Sequence, residues 1–317
     1  MLLESAWLKT DIAEQNLKLL ADGESGFCER RTLEHRELAR EAAEAVYSLV
    51  KDGLSVDESI RAALVGDGMA HTCGADIHCD NRELVEHYLS LVGASDRAVF
   101  ASVLTDAIKK VGITLTEVDF LPEGKGDEVV VYVKNKLADE AFDVFSEELS
   151  DPRVMYAKDF REAARAVSRG GAEYCLLPLE EGQGVRIPSV SALLYSEDLK
   201  INSVTPVFGP DGGADMKYAL ISRHFSVPEI SEDSDRYLEL RFTEIDAKDL
   251  VGLISAATLF GASIYRINSA KVSQDGGIED GISIVLSGTG IDFTPLIVYL
   301  TVFLPTFIAV GIYDNIE

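Results

Sequence analysis

Apolar residues recur at three- and four-residue spacing in the first third of the chain. Beyond it they alternate or run together, so the chain changes structural class along its length. From about Leu33 to Val50, Ala39, Ala42, Ala43, Val46 and Val50 make one helical stripe, which Gly53 ends. Ser55 caps a second helix: Asp57 and Glu58 favour its positive end, Ile60, Ala63 and Leu64 form its stripe, and Gly66 and Gly68 close it. Further helices are predicted over 81–92 and 95–110, and Met69–Asp80 reads as a loop.

After Thr114 the pattern becomes α/β, with a polar turn at Glu123–Asp127. The β-branched run Glu128–Val133 predicts a strand covered on both faces. Ala138, Ala141, Phe142, Phe145 and Leu149 mark a helix face, and Val154–Ala157 a short strand. Asp159 caps a helix with the stripe Phe160, Ala163, Ala164 and Val167, ended by Gly170-Gly171, before a buried strand at Glu173–Pro178. These spacings imply parallel pairing with right-handed crossovers, and ligands in such sheets bind beyond the carboxyl strand ends, here Pro178–Pro188.

The last part has its own rhythm: strand Tyr237–Thr243, apolar helix Ala247–Phe260, strands Ser263–Val272 and Gly281–Ser287, helix Asp292–Phe303 and strand Phe307–Ile312. The Asp-Gly-Gly within Ser273–Gly277 is a hairpin signal, and the order is βαββαβ, the ferredoxin-like arrangement. The fold class expected is therefore α/β with α+β: a helical module over 1–122, an α/β domain over 123–228 and a βαββαβ domain over 229–317. Phe293–Tyr313 is uncharged and long enough to span a bilayer, but Pro295, Pro305 and Gly311 divide it into a buried helix, a break and a strand. No membrane partner is expected.

Composition narrows the function. The 317 residues are 47% hydrophobic, enough for a real core without metal or disulfide staples. Lys plus Arg number 29 against 54 Asp plus Glu, a net charge of −25 spread along the chain, which excludes general nucleic-acid binding. Four cysteines (Cys28, Cys73, Cys79, Cys175) form no disulfide framework in a chain this long, and Glu4, Lys9, Asp11, Glu14 and Lys18 leave no signal-peptide core; a cytoplasmic protein is expected.

Residues 128–223 followed by 237–313 resemble prephenate dehydratase with its carboxyl-terminal ACT domain. Asp159–Glu181 is similar to that family's helix, strand and Pro-Ile-Glu-Asn-Ser loop, Leu193–Leu199 continues the likeness, and Phe307–Tyr313 is similar to the family's closing strand. The resemblance implies a periplasmic-binding-protein-like α/β lobe, an ACT-like domain that pairs into a homodimer, and a site for an amino acid or aromatic carboxylate. It implies no cofactor.

The chemistry departs from the family at defined positions. The family's Thr-Arg-Phe, whose threonine donates the proton, falls at Met216-Lys217-Tyr218, and methionine has no proton to give. Its Pro-Ile-Glu-Asn-Ser falls at Pro178-Leu179-Glu180-Glu181-Gly182, and the glycine-rich turn after the first strand is replaced by Lys134-Asn135-Lys136. Gly209–Asp215 stands where the family inserts a second lobe, so the α/β lobe reads as truncated. In the ACT-like part, Gly-Ala-Leu falls at Lys248-Asp249-Leu250 and Glu-Ser-Arg-Pro at Asn268-Ser269-Ala270-Lys271.

Catalytic candidates are accordingly limited to Glu180, Glu181 and Lys217, and the same pair of glutamates also reads as a solvated turn. Ligand-binding candidates are Pro178, Glu180, Glu181, Gln183, Arg186 and Lys217, with Lys248, Asp249, Asn268 and Ser269 in the ACT-like part. His71, Cys73, His78 and Cys79 are soft and borderline ligands in the number zinc takes, though their spacing matches no common finger and an incidental polar loop is the plainer reading. Cys175 in a buried strand reads as a small core residue. The reading that follows is a non-catalytic sensing or regulatory protein; the alternative is an active carbon–oxygen lyase making phenylpyruvate from prephenate for L-phenylalanine biosynthesis.

Overall fold

The computed structural model describes residues 25–65, 93–124, 128–182, 184–208, 214–274 and 277–315. Three helices come first: α1 (Ser25–Lys51), α2 (Val56–Leu64) and α3 (Ala94–Lys110). Ser55 starts α2 through a reciprocal capping box with Glu58, which satisfies two backbone donors at the helix end. The stripe Ala39, Ala42, Ala43 and Val46 is buried against Ile60, Leu64, Phe100, Leu104 and Ile108, as the spacing requires. The predicted helix over 81–92 and the glycines after Leu64 lie outside the described residues.

An α/β segment follows: β1 (Val129–Tyr132), α4 (Lys136–Ser146), β2 (Arg153–Tyr156), α5 (Phe160–Ser168), β3 (Tyr174–Glu181), β4 (Val185–Arg186), α6 (Pro188–Ser196), β5 (Lys200–Phe208) and β6 (Ala214–Ser222). Asn135 caps α4 and Asp159 caps α5, each through its side chain. β1 pairs in parallel with both β2 and β3. β5 and β6 pair antiparallel down to Phe208 and Ala214. The last part is β7 (Asp235–Phe242), α7 (Ala247–Leu259), β8 (Ser263–Gln274), β9 (Gly277–Thr289), α8 (Thr294–Phe303) and β10 (Ile308–Asp314). Its strand order, β10-β7-β9-β8 with antiparallel neighbours, is that of a ferredoxin-like βαββαβ unit.

Both segments share one ten-stranded sheet, ordered β2-β1-β3-β6-β5-β10-β7-β9-β8, with β4 attached to β3. The fold is a mixed α/β one. A single register row crosses it: Met155, Val131, Cys175, Ile221, Ile201, Gly311, Glu239, Val285, Arg266. Along that row the side chains are apolar up to Gly311, where the two segments join, and beyond it Glu239 and Arg266 flank Val285. A Cβ at Gly311 would stand 2.6 Å from the Ile201 carbonyl oxygen, so the backbones meet there because glycine lacks one.

Helices cover both faces. α5 and α6 pack on the face of Val131, Cys175, Ile201 and Ile221, a core that continues to Val285, Val310 and Tyr313 across the join. α4 covers Val130, Leu176 and Leu220 on the other face, and α7 and α8 cover Leu238, Leu240, Ile284 and Leu286 there. α3 lies between two cores: Ala98 and Ala101 pack with α7 and α8, whereas Phe100, Leu104 and Ile108 pack with α1 and α2. The uncharged tail folds as α8 followed by β10, and no helix among the described residues is long and apolar enough to cross a membrane.

Candidate functional site

β3 runs further than the sequence indicates. The loop expected after Pro178 is strand to Glu181, because β6 pairs with it throughout. Leu176 packs toward α4 and Leu177 toward α6, so strict alternation would place position 180 with Leu176. A register shift between Pro178 and Glu180 inserts Leu179 as a bulge and brings Glu180 opposite Lys217. Lys217 shares its face with Ala219 and Ile221, so Glu180 faces the α6 side, buried, where Arg186 is its cross-strand partner on β4. Glu181, one residue on, is exposed.

Two further charges meet this pair from the βαββαβ unit. Arg266 on β8 donates from Nη1 to Glu180 Oε1 at 2.5 Å. Arg186 donates from Nη2 to both oxygens of Glu239 on β7, at 2.7 and 2.5 Å, while its Nη1 stands 3.6 Å from Glu180 Oε1. Glu239 also accepts from Ser283 Oγ at 3.3 Å and from the Tyr313 hydroxyl at 3.4 Å. Side-chain exposure is 1% for Glu239, 7% for Glu180, 10% for Arg186 and 15% for Arg266. Two acids and two bases are thus sequestered together, which avoids the large cost of a lone buried charge.

The environment fixes the protonation states. Burial works against the Arg186 cation, but Glu239, and then Tyr313, Tyr195 and Glu180, more than offset it and hold its pKa above the usual arginine value. Burial and then Glu239 push the Tyr313 phenol well up and the Tyr195 phenol to about 12, so both stay neutral donors at ordinary pH. Burial first, and then the hydrogen bond from Arg266 to Glu180, act in opposite senses on Arg266, with a net rise.

Above the network, Glu180, Lys217, Leu179, Val204, Asn315 and the tyrosines Tyr237, Tyr265 and Tyr313 enclose a cavity of about 10 Å³, room for one water. Tyr237 stacks on Tyr313 with ring centroids 5.5 Å apart and takes Tyr265 edge-on at 5.2 Å. Glu180 Oε2 and Arg186 Nη1 are buried without a hydrogen-bond partner. Gly182 and Gly184 take φ of +50° and +85°, and Gly184 lies against the Arg266 guanidinium.

Of the residues singled out from sequence, Glu180, Arg186 and Lys217 come together here, whereas Pro178, earlier on β3, pairs with Tyr218. Gln183 lies outside the described residues, as do His71, Cys73, His78 and Cys79. Lys248 is exposed in the first turn of α7, and Asp249 beside it pairs with Arg97 of α3 at 3.2 Å. Asn268 lies opposite Ser283, on the face of the charge network; Ser269, the next residue on β8, is exposed and pairs with Ile282. Met216 pairs with Glu181 and Val207 at the start of β6. Sequence reasoning passed over Glu239, Arg266 and Tyr313. Charges inside a strand buried on both faces, Arg236, Glu239 and Arg241 in β7, were the available signal, since each must find a partner.

Chemically, the site is a set of paired charges beside neutral phenols. Glu180 and Arg186 are both engaged, the strand opposite offers methionine and lysine, and burial pushes the Cys175 thiol up, away from nucleophilic use. Among the described residues, no group of three or more His, Cys, Asp or Glu is placed to hold a metal ion.

No protein-family model and no curated protein sequence matches the chain. Solved structures resemble part of it. One is GqqA, described as a novel type of quorum quenching acylase: 16% identity, TM-score 0.43, covering 60% of this chain and 96% of that one. A prephenate dehydratase from Streptococcus mutans is 12% identical with a TM-score of 0.47, over 60% of this chain and 99% of its own. Another, from Arthrobacter aurescens and in complex with L-Phe, is 14% identical with a TM-score of 0.44, over 58% and 89%.

Proposed function

We propose that this chain is a degenerate prephenate dehydratase-like protein that regulates by binding a small amino acid or aromatic carboxylate and does not turn it over. One observation carries the reading. The two side chains best suited to act on a carboxylic acid, Glu180 and Arg186, are bonded to Arg266 and Glu239, beside a cavity with room for one water. A dehydratase needs a donor for its departing hydroxyl, and Met216-Lys217 on the neighbouring strand offers no hydroxyl. The β5–β6 pairing agrees with a lobe that never closes over substrate.

In this reading residues 229–317 form an ACT-like domain, 123–228 the remnant of the α/β lobe and 1–122 a helical module. The ACT-like domain pairs two copies of the chain along the β8 edge, where Tyr265 and Ile267 are about half exposed, as are Val251 and Leu259 of α7. Purified protein incubated with prephenate at neutral pH is expected to form no phenylpyruvate above the spontaneous rate. Enzymatic formation that Glu180→Ala abolishes would overturn the proposal in favour of an active lyase.

A further inference from the structure

The four charges of the network all pair across one boundary. Glu180 and Arg186 belong to the β1–β6 half of the sheet, Glu239 and Arg266 to the β7–β10 half, and each acid is bonded to the base of the other half. Among the described residues, the backbone register between the halves consists of Gly311 with Ile201 and the bridge of Val204 with Asn315. A short ladder and two crossed ion pairs therefore join the halves, over a shared apolar core.

Each half also holds an alternative pairing of its own. Glu180 and Arg186 are direct cross-strand partners, with Arg186 Nη1 already 3.6 Å from Glu180 Oε1. Glu239 and Arg266 are both partnered with Val285, from opposite sides, so they flank it on one face about 10 Å apart at the backbone. Their side chains can meet over Val285. Parting the halves leaves no charge stranded, and that is what allows the boundary to have two states.

What Glu239 and Arg266 present to the α/β half is a carboxylate and a cation side by side. Arg186 receives the first and Glu180 the second, and the buried Arg186 Nη1 and Glu180 Oε2 still have no hydrogen-bond partner. We infer that a small α-amino acid binds at this boundary, its carboxylate replacing Glu239 on Arg186 and its ammonium replacing Arg266 on Glu180, and that binding parts the two halves. The inference rests on the binding reading above and gives it a ligand class and a place. The cavity in the closed form admits one water, so the site forms as the seam opens. Tyr237, Tyr265 and Tyr313 then wall it, and Lys217 adds a second cation for the carboxylate. A simple acid engages only Arg186 and a simple amine only Glu180; the zwitterion engages both.

The test uses the intact protein with L-alanine and L-phenylalanine as probes, and propionate and propylamine as half-ligands. Amide exchange in Ile201–Thr205 and Ala309–Tyr313 is expected to quicken about fivefold or more with the amino acids, while Val130–Tyr132 and Leu238–Leu240 keep their protection. The half-ligands are expected to change neither. Arg266→Gln removes the internal competitor, so the melting-point rise with amino acid should appear at several-fold lower concentration; a purely structural Arg266 predicts the opposite. Glu180→Gln should abolish the rise. A rise that survives Glu180→Gln, or seam exchange unmoved in the unaltered protein, overturns the site and leaves the broader binding reading standing. No rise with any amino acid or aromatic acid overturns both.

Discussion

Arg186 and Glu239 meet where water does not reach, and their worth depends on which of them is removed. Glu239→Gln keeps the shape but leaves the Arg186 cation buried against an amide, so a loss of about 3–5 kcal/mol is expected in urea unfolding. The pair Arg186→Met with Glu239→Leu removes both charges, and should cost much less than the single change. Tyr195 gives a pH signature. Its phenol is raised to about 12 because burial, and then Glu239, oppose the phenolate. A raised phenol binds its proton more tightly in the folded state, so its contribution is whole below the unfolded value of about 10 and fades as pH rises toward about 12. Alkaline unfolding followed by circular dichroism should therefore be shallower in Tyr195→Phe over that window. An unchanged slope would place the alkaline loss on other groups.

At the scale of elements, strands that end at proline deserve physical care. The third strand reads as Glu173–Pro178 from sequence, yet in the structure Pro178 pairs with Tyr218 beside the bulge, where the donor that proline lacks does little harm. That single error hid the burial of Glu180. Helices were more legible: Ser55 and Asp159 declare their starts by side-chain chemistry, and the stripes in α1 and α5 declare their buried faces. Glu180 and Lys217 were found through motif position and Arg186 through its place beyond a strand end; Glu239 and Arg266 were not, since alternation tells which face a residue takes but not which distant strand will face it. Gly311 shows the same limit, reading as an ordinary break although Ile201 stands against it. Gly311→Ala forces a methyl to within 2.6 Å of a backbone oxygen, so β5 and β10 must separate. A loss of about 1–3 kcal/mol is expected, with faster amide exchange concentrated at Ile201 and Val310.

At the scale of the whole molecule, two ion pairs of unequal kind among the described residues fasten the helical layer to the βαββαβ part, one to its sheet and one to α7. Glu117, on the short turn Glu117–Asp119 after α3, takes Arg236 of β7 as a fork: Nη1 to Oε1 at 3.0 Å and Nη2 to Oε2 at 2.7 Å. Arg236 is fully buried and also donates to the carbonyls of Ile291 and Pro228, while Glu117 accepts the Phe293 amide at 2.7 Å. One guanidinium thus ties the helical layer, the connection from β6 to β7 and the entry to α8. Arg97 with Asp249, the other fastening, is more open, at 13% and 31% exposure. Asp249→Ala is therefore expected to cost no more than about 1 kcal/mol. Arg236→Met strands a buried carboxylate and two carbonyls, and should cost about 3–5 kcal/mol in denaturant unfolding. Because the layer packs through α3 and α8 as well, its release should not unfold the sheet at once. Proteolysis of Arg236→Met is expected to cut first within α1–α3 while β7–β10 stays resistant, and Glu117→Leu added to Arg236→Met should restore part of the loss. If the helices and the sheet were cut at one rate in Arg236→Met, the clamp would be holding up the whole sheet and not joining two parts.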